Sequence, residues 1–93
     1  DIAAREYEQA IRINPNYADA YYNLGNVYYT QREWELAEHN YRKAININPD
    51  DAEAYNNLGS LLYKQGKWDL AEQAYRQAVK NNPNYADKYN NIE

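Results

Sequence analysis

The sequence predicts an all-α fold built from antiparallel helix pairs. The first observation is a recurrence: Asn-Pro occurs three times, ending at Pro15, Pro49 and Pro83, at an interval of 34 residues. Residues 18–51 align with residues 52–85 without a gap, and 17 of these 34 positions are identical. The second observation is that apolar residues within each repeat stand three or four apart, which is the spacing of an amphipathic helix. Together they indicate a helical unit that is repeated along the chain.

Each repeat contains two predicted helices separated by a short break. In the first repeat, apolar residues of helical spacing occupy residues 20–28 and again residues 36–45. The second helix of each repeat ends at Asn-Pro, because proline excludes its predecessor from the helical region. Since the breaks between helices contain only a few residues, successive helices must be antiparallel.

The break inside each repeat has a marked turn position. It covers residues 30–33 in the first repeat and residues 64–67 in the second. Gly66 suits the left-handed residue that commonly follows the end of a helix. Arg32 stands at the equivalent position of the first repeat, so we expect that turn to be strained or differently shaped.

A glycine inside the first helix of each repeat predicts a close helix crossing. Gly25 and Gly59 hold this position, where glycine costs about 1 kcal/mol relative to alanine. Close packing offsets that cost if the glycine faces an alanine of the second helix, Ala37 in the first repeat and Ala71 in the second. We expect the tyrosine four residues after each alanine to fill the widening gap between the helices.

The spacing of these residues resembles the tetratricopeptide repeat (TPR), a 34-residue helix pair. The resemblance implies a right-handed α-solenoid. It rests on Tyr21, Leu24, Gly25, Tyr28, Ala37, Tyr41 and Pro49 in the first repeat and on Tyr55, Leu58, Gly59, Ala71, Tyr75 and Pro83 in the second, with Leu62 departing from the pattern. It implies a single domain over residues 1–93, made of the second helix of a preceding unit (1–17), two units (18–51 and 52–85) and a partial or capping first helix (86–93).

The recurrence begins part-way through a unit. We therefore expect the chain to be a piece cut from a longer array, or an engineered, consensus-like permutation of one. Its end faces would then be open, and the last helix would serve as a solvating cap or as the beginning of a further unit.

Composition excludes several classes of function. Fourteen acidic residues against ten Lys and Arg give a net charge of -4, so the chain has no basic face for nucleic acid. Its apolar runs are far shorter than the roughly 20 residues that cross a bilayer, so we expect a soluble protein, intracellular by default, that has no membrane partner. Cysteine is absent, which excludes thiolate metal sites and thiol nucleophiles. We expect no metal and no cofactor.

Few side chains could support catalysis, and we expect no enzymatic activity. His39 is the only imidazole, and Thr30 and Ser60 are the only hydroxyl side chains besides tyrosine. A Ser-His-acid triad would need Ser60 and His39, which fall on different helices of different repeats. We expect His39 on the outer, solvated face of a second helix. Together with Glu35, one helical turn away, it would supply a metal ion with two ligands, too few for a specific site.

Recurring asparagines predict a peptide-binding wall. A helix-pair solenoid lines up the same helix of every unit, so residues that recur at an interval of 34 form ladders. Asn23, Asn57 and Asn91 form such a ladder, which resembles the asparagine ladder in the TPR superhelix of O-GlcNAc transferases. A side-chain amide can bond to the N–H and C=O of an extended peptide without reading its sequence. The alternative is hydrogen bonding between helices, and the residues leave both interpretations open.

The rest of this wall is predicted to be polar, aromatic and mildly acidic. Its tyrosines offer rigid contact area at modest entropy cost. Some TPR proteins hold a chaperone tail in a carboxylate clamp, but Tyr22, Asp87 and Asn91 occupy its basic positions here, so we expect no clamp. The acids should favour a neutral or basic extended segment. Besides the asparagine ladder, the predicted contact residues are Tyr22, Asn26, Tyr29, Asn56, Ser60, Tyr63 and Lys64, with Asp19, Glu53, Asp87 and Asn90 on the same wall.

We therefore expect a protein-protein interaction scaffold that binds an extended peptide segment of a partner in its concave groove. One alternative is a structural module that stacks head to tail, through Ile2 and Ala4 at one end and Ile92 at the other. Another is the recognition arm of a larger enzyme.

Overall fold

The computed structural model describes residues 2–86, and this part of the chain is helical throughout its regular structure. The elements are α1 (Ile2–Ile13), α2 (Ala18–Thr30), α3 (Trp34–Ile47), α4 (Ala52–Lys64), α5 (Trp68–Asn81) and a short 3-10 helix at Pro83–Tyr85. Residues 2–86 contain no strand, so the predicted all-α fold is confirmed. Apart from Ala86, the predicted partial helix over residues 86–93 lies outside the described residues.

The chain divides between Pro49 and Asp50 into two compact units. Unit 1 contains α1, α2 and α3, and α2 packs against both of its neighbours. Unit 2 contains α4 and α5, which pack against each other, followed by the 3-10 helix. Each unit therefore has its own helix-pair interface.

The proline after each second helix determines where that helix ends. α3 ends at Ile47 and α5 ends at Asn81. The next residues, Asn48 and Asn82, have ψ angles of 85° and 103°, outside the helical region. A proline ring clashes with a helical conformation of the preceding residue. The predicted helix ends at Asn-Pro are confirmed.

The turn within each helix pair has a left-handed residue. Arg32 has a φ of 61° and Gly66 a φ of 78°. In the first turn, the Arg32 N–H donates to the Tyr29 carbonyl at 3.1 Å and the Glu33 N–H donates to the Tyr28 carbonyl at 2.9 Å. These are the two hydrogen bonds of a Schellman motif, and the second turn makes the equivalent pair. The predicted strain at Arg32 is confirmed, because a residue with a Cβ atom pays to adopt this conformation.

One buried tyrosine lies at the centre of each helix pair. Tyr41 is 1% exposed and Tyr75 is 2% exposed. A methyl group added to Gly25 would lie 2.7 Å from Cδ1 and Cε1 of Tyr41, and one added to Gly59 would lie 2.8 Å from the same atoms of Tyr75. The helices therefore cross closely at these glycines, with an aromatic ring against each glycine backbone.

The predicted partners of the helical glycines, Ala37 and Ala71, are wrong. All three of the nearest atoms belong to a tyrosine ring in both units. Side chains on a helix point back toward its N-terminus. The tyrosine four residues after each alanine consequently covers the surface at the level of the glycine. The alanines are buried nonetheless, at 0% and 2% exposure.

The outer surface of α1 is apolar at two positions. Ile2 is 75% exposed and Ile13 is 76% exposed. Ala4 is only 9% exposed and is the buried residue of α1, which packs against α2. The prediction that Ala4 contributes to an end-to-end contact is therefore wrong. Ile92, the predicted partner at the other end, lies outside the described residues.

Candidate peptide-binding site

The predicted contact residues fall on one face of the first helix in each pair. Their spacing of three and four residues places them on a single stripe of an α-helix. The α2 stripe contains Asp19, Tyr22, Asn23, Asn26 and Tyr29, and the α4 stripe contains Glu53, Asn56, Asn57, Ser60, Tyr63 and Lys64. Asp87, Asn90 and Asn91 lie outside the described residues, so the third asparagine of the ladder stays a prediction.

Two members of the α2 stripe contact the buried ring of Tyr41. The Tyr41 hydroxyl donates a hydrogen bond to Oδ1 of Asn26. The ring centroid of Tyr22 lies 6.0 Å from that of Tyr41, with the planes tilted by 45°. Asn26 thus joins α2 to α3, and both stripe residues are half-buried. Sequence reasoning assigned Asn26 to peptide contact and missed its bond to Tyr41.

Unit 2 makes the same connection with a different residue. The Tyr75 hydroxyl donates to Oγ of Ser60 at 2.9 Å. Ser60 stands 34 residues after Asn26, and Tyr75 stands 34 residues after Tyr41. The signal available in the sequence was a hydrogen-bond acceptor 15 residues before the buried tyrosine in both repeats. A polar residue at this position therefore has a structural role before any ligand is considered.

Asn56 departs from the predicted exposed wall. It is 6% exposed, and its Oδ1 atom is buried without a hydrogen-bond partner in the described part of the chain. The equivalent residue of unit 1 is Tyr22, whose longer side chain reaches further from the helix axis. The short amide of Asn56 instead stays below the surface of unit 2. A peptide could not reach Oδ1 without a rearrangement, so Asn56 is not a contact residue in this conformation.

An aromatic pair lies at the turn end of each stripe. Tyr29 meets Trp34 edge to face with ring centroids 5.5 Å apart, and Tyr63 meets Trp68 in the same way at 4.7 Å. Burial raises the pKa of Tyr29. In unit 2 the pair is more accessible, because Tyr63 is 40% exposed and Trp68 is 59% exposed. Lys64, the last residue of α4, is also exposed.

The two described asparagines of the ladder have similar environments. Asn23 lies on α2 and Asn57 lies at the equivalent position of α4, and both are half-buried. Each side chain keeps part of its surface accessible within its own unit. This is the arrangement that an amide needs if it is to bond to a passing main chain.

Acidic side chains gather at the beginning of α4. Asp51 caps the helix, accepting a hydrogen bond from the Ala54 N–H at 3.2 Å. Glu53 follows in the first turn and is exposed. Burial raises the pKa of Tyr85, and the negative charges of Glu53 and Asp51 raise it further. The electrostatic potential at this end of the stripe is therefore negative, which favours a positively charged segment.

The described residues offer little for metal binding or catalysis. Residues 2–86 contain no group of three or more His, Asp or Glu side chains placed to hold a metal ion. His39 is exposed, as predicted. Within the same span, no helix combines the length and the apolar character that crossing a bilayer requires.

Known proteins share this repeat. The family model described as tetratricopeptide repeat matches residues 25–86, more than half of the chain. The chain belongs to the tetratricopeptide repeat family. A second family model, described as TPR repeat, matches residues 1–32. TPR repeats generally mediate protein-protein interaction and are typically non-catalytic modules.

A solved TPR structure has the same fold. The crystal structure of MamA is 33% identical in sequence, with a TM-score of 0.83 over 90% of this chain. The alignment covers 49% of the MamA chain, so the present TPR chain spans about half the length of that relative. No curated protein matches the chain. The resemblance to O-GlcNAc transferases and to engineered TPR arrays stays a prediction.

Proposed function

We propose that this TPR chain binds an extended peptide segment of a partner protein, along the α2 and α4 stripes that face the groove of a TPR array. The observation that carries the proposal is the recurrence of a half-buried asparagine, Asn23 and Asn57, at the same position of the first helix in both repeats. Repetition at an interval of 34 suits a ligand that itself repeats, and the main chain of an extended peptide is such a ligand.

The asparagine amide matches the chemistry of a peptide main chain. Its oxygen accepts a hydrogen bond and its nitrogen donates two, so it can bond to the C=O and the N–H of one residue. Contacts of this kind do not depend on the ligand sequence. The asparagines would therefore fix the path of the peptide, and other residues of the stripes would select among peptides.

The tyrosines of the stripes supply the apolar part of the contact. Tyr22, Tyr29 and Tyr63 are held by rings of their own units, so little conformational entropy is lost when a ligand packs on them. Tyr63 offers the largest accessible face of the three, because it alone is exposed rather than half-buried.

The acids of the stripes select for charge. Asp19 is exposed in the first turn of α2, and Glu53 is exposed in the first turn of α4 beside the capping Asp51. An acidic ligand tail would be repelled from this region, whereas a neutral or basic segment would not. We therefore propose a neutral to basic extended segment as the ligand of the stripes.

A peptide array comparing the wild type with the double variant Asn23→Ala/Asn57→Ala tests this proposal. We expect the double variant to lose capture of most peptides, because both main-chain contacts disappear. The matched control is Asn46→Ala/Gln73→Ala, which removes one exposed amide from the second helix of each pair. Equal helicity by circular dichroism would establish that all three proteins are folded. Unchanged capture by the double variant would contradict the proposal.

End-to-end association is a second candidate, favoured by the exposed isoleucines of α1. Ile2 and Ile13 stand three helical turns apart and are each about three-quarters exposed, at 75% and 76%. An apolar face of this kind could bind the end of another copy. Sedimentation of the wild type and of Ile2→Ser/Ile13→Ser over a range of concentrations separates the two candidates. Association that grows with concentration and is lost in the variant supports stacking, and a monomer at all concentrations contradicts it.

A further inference from the structure

We propose that the turn between α4 and α5 is a second docking surface, which takes a large apolar side chain flanked by carboxylates from a partner protein. The α4-α5 turn surface consists of Tyr63, Lys64, Lys67, Trp68 and Leu70. It shares Tyr63 and Lys64 with the α4 stripe but requires no contact with the asparagines. It therefore extends beyond the proposed function and can be tested independently of it.

The surface exposes large apolar side chains at one place. Trp68 is 59% exposed, Leu70 is 44% exposed and Tyr63 is 40% exposed. Clustered apolar exposure marks interaction sites, whereas apolar residues scattered singly are ordinary. The edge-to-face contact with Tyr63 restrains the Trp68 ring. A partner that covers Trp68 therefore gains a large contact area without having to order a mobile side chain.

A shallow depression adjoins the exposed tryptophan. It has a volume of about 280 Å³, is open to solvent and is lined by residues 66–70. A methyl group added to Gly66 would meet no atom within 4 Å, so the space beside the turn is empty on this side as well. Pockets for small molecules have volumes of about 300–1,000 Å³. A depression below that range suits a single side chain of a partner.

Unit 1 shows that the fold does not require this arrangement. Arg32 takes the place of Gly66 at a similar φ angle, so a long side chain stands where unit 2 has open space. Trp34, equivalent to Trp68, is half-buried. Both turns close with the same Schellman hydrogen bonds, so the differences between them are not needed for folding. They are consistent with a contact made by unit 2 alone.

The charges of the surface select a carboxylate-bearing ligand. Lys64 and Lys67 are both exposed, with Asp69 as the one acid among residues 64–70. The equivalents of the two lysines in unit 1 are Thr30 and Glu33, which supply no positive charge. Like the exposed aromatic pair, this positive potential is a property of unit 2. An apolar anchor next to Asp or Glu therefore matches the surface in both shape and charge.

The acids of unit 2 do not cancel this potential. Asp51 and Glu53 lie at the opposite end of α4, whose 13 residues span about 20 Å at 1.5 Å per residue. That distance exceeds the Debye length of about 8 Å at physiological ionic strength. Unit 2 thus has a negative end at the beginning of α4 and a positive, aromatic end at the turn.

An NMR titration with three short peptides tests the proposal. The first probe is acetyl-Glu-Asp-Leu-Phe-Asp-Glu-amide, the second has Lys and Arg in place of its acids, and the third has Gly-Ser in place of Leu-Phe. We expect the first peptide to shift the backbone amide signals of residues 66–70 more than those of residues 32–36, and to bind more tightly than the other two. Equal shifts at both turns, or equal affinity for the basic peptide, would overturn the proposal.

Paired substitutions locate the contact. Gly66→Arg gives unit 2 the residue that unit 1 carries, and we expect about tenfold weaker binding of the acidic peptide, the size of a modest hot spot. Leu70→Ser should weaken it as well. The matched controls are Arg32→Gly and Leu36→Ser, since Leu36 is 45% exposed and equivalent to Leu70. Unchanged affinity in both unit 2 variants would overturn the proposal. Asn23→Ala/Asn57→Ala should leave this affinity unchanged, so failure of the groove proposal is distinguishable.

Discussion

Gly25 lies directly against the ring of Tyr41, so close that a methyl group on the glycine would come within 2.7 Å of two ring carbons. The ring has little room to move, because Tyr41 is 1% exposed and its hydroxyl donates to Asn26. Glycine is a poor helix former, yet here it allows the two helices of unit 1 to approach each other. Its cost in helix propensity and the position of the aromatic ring are therefore linked.

We predict that Gly25→Ala destabilises the protein although alanine is the better helix former. Alanine gains about 1 kcal/mol of helix propensity, but overpacking a close-packed interface costs typically 1–3 kcal/mol. With a contact this short against a held ring, we expect a net loss of about 1–2 kcal/mol in the free energy of unfolding, measured by urea denaturation.

The Tyr41→Leu background provides the control for this prediction. Leucine removes the ring that meets the new methyl group, so Gly25→Ala should cost less there, or become stabilising, and the double-mutant cycle should show coupling. Equal effects in the two backgrounds would mean that the ring is not the cause of the destabilisation.

The helices and turns of this protein were predictable because local residue types determine them. Proline excludes a helical predecessor whatever its surroundings, so the ends of α3 and α5 followed from Pro49 and Pro83. The left-handed conformation at Gly66, and the strain at Arg32, likewise followed from the need for a positive φ after a helix.

The contacts across the helix pairs were less predictable, because they depend on side-chain direction. Spacing alone placed Ala37 opposite Gly25, whereas the backward lean of Tyr41 brings its ring there. The stripe of α4 was predictable from periodicity. The burial of Asn56 was not, because it depends on the size of the neighbouring side chains.

Replacing Arg32 with glycine should stabilise the protein. A left-handed conformation costs a residue with a Cβ atom roughly 1–2 kcal/mol, and Arg32 has a φ of 61°. Glycine avoids this cost but loses more conformational entropy on folding, so we expect a net gain of up to about 1 kcal/mol by urea denaturation. Gly66→Ala should have the opposite sign, since that φ is 78° and no neighbouring atom would resist the methyl group. A loss of stability in Arg32→Gly would show that the arginine side chain contributes more than its backbone costs.

The hydrogen bond between Tyr75 and Ser60 should contribute to the stability of unit 2. Removing either partner, in Tyr75→Phe or Ser60→Ala, should lower the free energy of unfolding by about 0.5–1.5 kcal/mol, the net contribution of a typical hydrogen bond. The double variant should lose less than the sum of the two, because the second substitution has no bond left to break. Simple additivity would indicate that the two residues act separately.

Asn56→Leu should raise the stability of the protein. The Oδ1 atom of Asn56 is buried without a partner in the described part of the chain, and such an atom costs about 1–3 kcal/mol of lost hydration. Leucine has a similar shape and no polar atom to desolvate, so we expect a gain of about 1–2 kcal/mol by urea denaturation. Asn57→Leu, at the half-buried neighbour, should give no such gain but should weaken peptide capture if the groove proposal is correct. A destabilised Asn56→Leu protein would show that the amide is satisfied in solution.

Alkaline titration should weaken unit 1 through Tyr28. Burial raises the pKa of this hydroxyl above its usual value of about 10, and the carboxylate of Glu8, which accepts its hydrogen bond at 3.5 Å, raises it further. Because the folded protein holds this proton more tightly than the unfolded chain, the contribution to stability is complete below the unfolded pKa and is lost as the pH rises through the folded pKa. Tyrosine ring carbon NMR should therefore show Tyr28 ionising later than an exposed tyrosine such as Tyr17. Glu8→Gln should bring the Tyr28 pKa part of the way back toward 10, whereas Glu6→Gln, an exposed substitution on the same helix, should not. Identical Tyr28 titration curves in wild type and Glu8→Gln would contradict a Glu8 contribution.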